Sequence, residues 1–145
     1  MIAFFLFYNH SSGIQANLAF SKEFRHCNII TYDGEYWLNV EFDSTGILTK
    51  VLDVPKGKAL IRGLKSIKTL TAMIVVDVGE RKRVAWKPLW GRTCNELDRY
   101  VSGVDVGLTF NPRHLYSKLL RYNGKRNYEI LYAWRRQDGI FRRRQ

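Results

Sequence analysis

The sequence predicts a single α+β domain in which an antiparallel sheet packs against helices, and three observations indicate this class. Four short segments near the amino terminus are rich in aromatic and β-branched residues and are separated by turn-forming residues, which is typical of antiparallel strands. Two later segments begin with helix-capping residues. A length of 145 residues with 46% hydrophobic content suits one buried core. We therefore expect one domain over residues 1–145.

The first half of the chain predicts four strands. Residues 2–8 are almost entirely apolar and form the first strand, before a turn and a short helix that includes Phe20. The next three strands form a meander, because their apolar segments are separated by short turn-forming pairs. This meander consists of residues 26–32, 35–43 and 46–54, with turns at Asp33-Gly34 and Ser44-Thr45.

The second half predicts three helices and two strands. Leu60 and Leu64 belong to a set of apolar residues at helical spacing, and Asn111 followed by Pro112 is a favoured start for the last helix. The predicted order is a helix within residues 56–69, a strand over 73–78, a loop over 81–91 that contains Trp86 and Trp90, a helix over 94–102 that ends at Gly103, a helix from Asn111, and a final strand over 128–134.

The chain is strongly basic, with 24 Lys and Arg residues against 13 Asp and Glu residues and a net charge of +11. Much of this charge lies in a basic C-terminal extension over residues 121–145. Such an extension favours contact with a polyanion, and nucleic acid, an acidic protein surface and an anionic cell-wall polymer all fit this description.

Cysteine content and hydropathy exclude several classes of protein. The two cysteines, Cys27 and Cys94, are too few for a disulfide framework and lack the paired spacing of a zinc site, so we expect no metal and no other cofactor. No apolar run approaches the roughly 20 residues of a membrane span. Residues 2–8 lack the flanking features of a signal peptide. These observations predict a protein that has neither a membrane span nor a signal peptide and that folds in a cytoplasm.

Cys94 is the candidate nucleophile because of its place in a predicted helix. Thr93 and Glu96 have the spacing of a capping box, which makes Cys94 the first helical residue. Unpaired backbone N–H groups and the helix dipole favour an anion there, so we expect the thiol to ionise below its usual pKa of about 8.5. Cys94 shares a helix face with Leu97 and is expected to point towards the core. The alternative is that Cys94 is an inert core cysteine. A partner group for the thiol is needed to distinguish these two interpretations.

His26 is the candidate base, and Glu41 is the residue expected to orient it. A two-residue turn between their strands places His26 directly opposite Glu41. Directly opposed side chains have Cβ atoms about 5 Å apart, which allows a carboxylate to accept a ring N–H. Asn39, on the same face, is the alternative orienting residue. The other face carries Cys27 and is apolar, so we expect Cys27 to be a structural core residue.

Three features follow one another along this chain. The first is a histidine that opens a strand, the second is a polar residue on the next strand, and the third is a cysteine at the start of a later helix. Their order resembles that of the circularly permuted NlpC-type papain-like cysteine peptidases, in particular the short phage- and prophage-encoded members. The matching residues are Arg25-His26, the Asp33-Gly34 turn, Trp37 leading to Glu41, Thr93-Cys94-Asn95-Glu96, Val101, Gly103, and Pro112 with Leu115, Tyr116 and Leu120.

The resemblance implies an antiparallel, partly open barrel packed against the helix that bears the nucleophile. It implies a cysteine peptidase or amidase-like hydrolase that acts on peptidoglycan stem peptides, with Cys94 as nucleophile, His26 as base and Glu41 or Asn39 as third residue. A phage virion or the host cytoplasm is the implied location, with other virion proteins as partners. Two alternatives stay open: a non-catalytic virion or tail assembly protein with the same fold, and a nucleic-acid-binding basic module.

Overall fold

Six strands and three helices make up the part of the chain that the computed structural model describes, which is residues 1–10, 22–43, 46–53, 57–82 and 94–137. The strands are β1 (Ile2–Tyr8), β2 (His26–Tyr32), β3 (Trp37–Asp43), β4 (Gly46–Leu52), β5 (Leu70–Val78) and β6 (Tyr128–Arg135). The helices are α1 (Lys58–Lys65), α2 (Cys94–Ser102) and α3 (Pro112–Arg121). These elements confirm the α+β class.

All six strands belong to one antiparallel sheet, in the order β4-β3-β2-β1-β5-β6. Strand β1 lies between β2 and β5, and β4 and β6 form the two edges. Each edge strand pairs on one side only, so within the described residues the sheet is open, and the expected partly open barrel stays a prediction.

Apolar side chains cover both faces of this sheet. Phe5 and Phe7 of β1 point to one face, where α2 and α3 pack. Phe4 and Leu6 point to the other face, where α1 packs. A strand that is covered on both faces has a continuous apolar sequence instead of an alternating one. This explains why the interior of β1 contains no polar residue.

Most predicted boundaries agree with the structure to within a few residues. Helix α2 ends where predicted, because Gly103 follows it with a φ of 67°, the left-handed conformation that commonly terminates helices. Asn111 caps α3 as predicted, and its side chain accepts a hydrogen bond from the His114 backbone N–H at 2.8 Å. Strand β5 begins earlier than predicted, because Leu70 still pairs with Tyr8 of β1.

The turn between β2 and β3 is longer than predicted. Asp33 folds it, since its Oδ1 accepts hydrogen bonds from the backbone N–H groups of Glu35 and Tyr36, both at 2.8 Å. This Asx turn keeps Glu35 and Tyr36 out of the ladder. As a result, Tyr32 pairs with Trp37 and not with Glu35.

The longer turn shifts the pairing of β2 with β3 by two residues, so the predicted direct opposition of His26 and Glu41 is wrong. Because side chains alternate with a period of two, a shift of two residues leaves both on the same face. The β2–β3 ladder ends where Ile29 pairs with Val40. Towards His26 and Glu41 the two strands are therefore no longer paired.

Several predicted features lie outside the described residues: the short helix that includes Phe20, the turn at residues 44–45, the loop segment that holds Trp86 and Trp90, Thr93 of the capping box, and the chain beyond Gln137. Within the predicted basic extension, α3 ends at Arg121 and residues 128–135 form β6, which pairs with β5. Within the described residues, no helix is both long enough and apolar enough to span a bilayer.

Candidate active site

Cys94 is the first residue of α2 and lies in the buried layer between this helix and the sheet. Only 9% of its surface is exposed, and it belongs to the same apolar cluster as Leu97 and Cys27. The predicted helix start and the inward direction of Cys94 are thus confirmed. At this position the sulfur lies at the positive end of the helix dipole.

The two residues after Cys94 tie the start of α2 to Thr109. The buried amide of Asn95 donates hydrogen bonds to the carbonyl and to the hydroxyl of Thr109, both at 2.9 Å. Glu96 Oε1 accepts from the Thr109 hydroxyl at 2.7 Å and from its backbone N–H at 3.0 Å, while Oε2 accepts from Arg99 at 2.8 Å. The sequence analysis related Glu96 only to a capping box, whereas the structure gives it this buried network.

His26 lies at the start of β2 and contacts Glu41 of β3. Its Nε2 is 3.3 Å from Glu41 Oε1, and the histidine side chain is 16% exposed against 37% for the glutamate. Asn39, the alternative orienting residue, is engaged elsewhere, because its Oδ1 accepts a hydrogen bond from Asn28 Nδ2 at 2.8 Å. These contacts favour Glu41 over Asn39 as the neighbour that orients the His26 ring.

The His26 ring also lies within hydrogen-bonding reach of the Cys94 side chain. His26 and Cys27 are consecutive in β2 and therefore belong to opposite faces of the sheet, and α2 packs on the face of Cys27. His26 can meet Cys94 because β2 and β3 are not paired at this end of the sheet. The unpaired end of the ladder is therefore where the site is assembled.

The pKa values of Cys94 and His26 shift towards the charged forms of both groups. A hydrogen bond from the Cys27 side chain lowers the pKa of Cys94 well below its ordinary value, with His26 acting in the same direction and burial opposing them. Burial lowers the pKa of His26, but the hydrogen bond and charge of Cys94, together with Glu41, raise it above its ordinary value. The directions describe a thiolate beside an imidazolium.

Cys27 has a second role that the sequence analysis missed. It is a fully buried core residue, as predicted, but its side chain and its backbone both lie within hydrogen-bonding reach of the Cys94 sulfur. A backbone N–H is available there because the β2–β3 ladder has already ended. Burial is the largest cause that raises the pKa of the Cys27 thiol well above its ordinary value, and the contact with Cys94 is the next largest.

Asp98 is the other member of the cluster that the sequence analysis missed. It is 1% exposed, and neither carboxylate oxygen has a well-aligned hydrogen-bond partner among the described residues. The Cys27 thiol lies within hydrogen-bonding reach. Burial and the charge of Cys94 raise the pKa of Asp98 well above its ordinary value. The four-residue spacing from Cys94, which puts both on one helix face, was the signal available in the sequence.

The site consists of amino-acid side chains and backbone groups. In the described part of the chain, no group of three or more His, Cys, Asp or Glu side chains is arranged to hold a metal ion. Comparison with known proteins finds no family model, no curated protein and no solved structure that matches this chain. The interpretation of the site therefore depends on its geometry.

Proposed function

We propose that this chain is a cysteine hydrolase of the peptidase or amidase type, in which Cys94 is the nucleophile, His26 the general acid and base, and Glu41 the residue that orients His26. One observation carries the proposal: the His26 ring lies within reach of both the buried Cys94 thiol and the partly exposed Glu41 carboxylate. Nucleophilic catalysis by a thiol needs such a base and such an orienting group.

The reaction follows from this arrangement. The Cys94 thiolate attacks an amide carbonyl carbon, and the carbonyl oxygen becomes an oxyanion beside the N–H groups at the start of α2. The His26 imidazolium gives its proton to the departing amine as the C–N bond breaks. Neutral His26 then takes a proton from the water that attacks the thioester, and the acid product leaves. Glu41 keeps the ring in one orientation through both steps.

We extend the proposal to a permuted papain-like arrangement that acts on peptidoglycan stem peptides. His26 in β2, Glu41 in β3 and Cys94 in α2 follow one another in the order of the permuted NlpC-type family that the sequence resembles. The net charge of +11 supports an anionic cell-wall polymer as the substrate. On this proposal, the protein acts from a phage virion or within the host cytoplasm.

Alkylation of Cys94 by iodoacetamide across pH tests the proposed nucleophile. We expect Cys94 to react well below the ordinary thiol pKa of about 8.5, because the Cys27 side chain and then His26 stabilise the thiolate. His26→Asn should move the alkylation profile to higher pH. His114→Asn, which removes a histidine that stacks on Phe110 in the region of α3, is the matched control and should leave the profile unchanged. Peptide mass spectrometry separates Cys94 from Cys27.

Other results would favour the alternative functions. A Cys94 that titrates as an ordinary thiol, with no effect of His26→Asn, would favour a non-catalytic virion or tail assembly protein. Binding to DNA or RNA that falls steeply with salt would favour a nucleic-acid-binding basic module.

Hydrolysis of purified peptidoglycan by the wild-type protein, and its loss in Cys94→Ala, tests the substrate class separately.

A further inference from the structure

Cys27 and Cys94 form a buried pair of thiols that the hydrolytic reaction does not use as a pair. They come from different elements, β2 and α2, and belong to one apolar cluster. Both are reduced, and their side chains lie within hydrogen-bonding reach of each other. Two thiols at such a separation need only a small movement to form a disulfide, whose S–S bond is about 2.05 Å long.

The two thiols differ in the way that a two-cysteine redox site needs. Cys94, at the helix start beside His26, favours the thiolate, which is the form that reacts with an oxidant. Cys27, in the core beside Asp98, favours the neutral thiol. One sulfur is suited to be oxidised first and the other to resolve the product.

Asp98 supplies an independent observation at the same place. Its carboxylate is buried, lies beside Cys27 and has no well-aligned partner among the described residues. In the proposed hydrolysis, Asp98 transfers no proton. A buried carboxyl group that keeps its proton is suited to relay a proton, because it can give its own proton to a leaving group while it takes the proton of the neighbouring thiol.

We propose that Cys94 and Cys27 are a redox site in which hydrogen peroxide oxidises Cys94 and Cys27 resolves the product into an intramolecular disulfide that blocks the nucleophile. Cys94 is 9% exposed, and hydrogen peroxide is an oxidant little larger than water. The oxidation itself involves only thiol chemistry, whereas the blocking of the nucleophile rests on the proposed hydrolase function.

Two steps account for all atoms and electrons. The Cys94 thiolate attacks one peroxide oxygen, the O–O bond breaks and hydroxide leaves, so that sulfur is oxidised by two electrons to the sulfenic acid. The Cys27 sulfur then attacks the Cys94 sulfur, the S–S bond forms and the S–O bond breaks. Asp98 gives its own proton to the departing hydroxide, which leaves as water, and takes the Cys27 proton in its place.

Mass spectrometry of the full-length protein after exposure to hydrogen peroxide tests this proposal. We expect wild-type protein to lose the mass of two hydrogens, to give a peptide pair linked through Cys27 and Cys94, and to recover both thiols in dithiothreitol. Cys27→Ser should instead add oxygen at Cys94. Cys94→Ser is the matched control and should leave Cys27 reduced. Asp98→Asn should slow disulfide formation by about 10²-fold while the Cys94 sulfenic acid accumulates.

The wild-type protein alone tests whether the Cys27–Cys94 disulfide forms, so this result does not depend on whether every variant folds. Sulfinic or sulfonic acid at Cys94 without a disulfide would overturn the resolving role of Cys27. A disulfide between two chains, or two thiols that stay unreacted, would overturn the redox site. Iodoacetamide reactivity at low pH, measured before oxidation, reports on the nucleophile separately from these outcomes.

Discussion

The residues around Cys94 combine burial with several ionisable groups, and the directions of their pKa shifts are mutually consistent. Burial penalises every isolated charge. Cys94 and His26 avoid this penalty by forming an oppositely charged pair, whereas Cys27 and Asp98 avoid it by keeping their protons. A buried cluster of four titratable groups can therefore be close to neutral at the pH where its thiolate exists.

Asp98→Asn tests the protonation of Asp98 through the pH dependence of stability. Between the ordinary aspartate pKa of about 3.9 and the raised pKa of Asp98, the unfolded chain has released this proton and the folded chain has kept it. The free energy of unfolding of the wild type should therefore fall as pH rises across this window. Asp98→Asn should remove that fall, as measured by urea unfolding at several pH values.

The control for this experiment is Asp77→Asn, which replaces an exposed carboxylate that contacts the N-terminal amine of Met1. It should keep the wild-type fall in stability across the same window. Parallel stability curves for Asp98→Asn and the wild type would show that Asp98 is not a protonated buried acid.

At the scale of elements, α2 depends on polar contacts as much as on apolar burial. Glu96, Arg99 and Asn95 are buried together with its apolar residues. They are stabilised because Glu96 accepts hydrogen bonds from both Arg99 and Thr109. This network fixes the first turn of the helix, and the first turn carries Cys94. The position of the nucleophile is thus coupled to the segment that precedes α3.

Glu96→Gln is expected to destabilise the protein by about 3–5 kcal/mol, because it leaves the buried Arg99 guanidinium without its charged partner. Lys82→Met is the matched control, since it breaks an exposed ion pair with Asp105 and should cost less than about 1 kcal/mol. Equilibrium unfolding in urea measures both. Equal effects of the two substitutions would mean that the buried pair does not hold α2.

At the scale of the whole molecule, the sheet separates two apolar layers and β1 contributes to both. Phe5 of β1 is fully buried in the layer that also contains Cys94, Leu97 and Leu115. Cys94 and the main core therefore share one layer. Rigid packing behind Cys94 keeps its sulfur at the unpaired end of β2 and β3.

Phe5→Ala should reduce the free energy of unfolding by about 3–5 kcal/mol, because it removes a large side chain from the layer that supports Cys94. Leu131→Ala on edge strand β6 is the control, since Leu131 is 56% exposed, and it should change stability by less than about 1 kcal/mol. Denaturant unfolding of both variants gives the comparison. A small effect of Phe5→Ala would contradict the two-layer core.

Local patterns in the sequence were enough to predict the helices and strands and part of the candidate active site. The apolar run of β1, the glycine after α2 and the Asn111 cap each act over a few neighbouring residues, and all three were predicted. His26 and Glu41 were placed on one face correctly in spite of a wrong turn length. The error was an even number of residues, and the alternation of side chains is unaffected by such a shift.

By itself, the amino-acid sequence determined the α+β class, the positions of strands and helices, and the start of α2 at Cys94, because these depend on interactions between residues close in the chain. Only the tertiary structure decided that the β2–β3 ladder ends before His26, and that Cys27 and Asp98 join Cys94 in one buried cluster. Such contacts join residues distant in sequence, and they arise from the packing of α2 on the sheet, which no local pattern specifies.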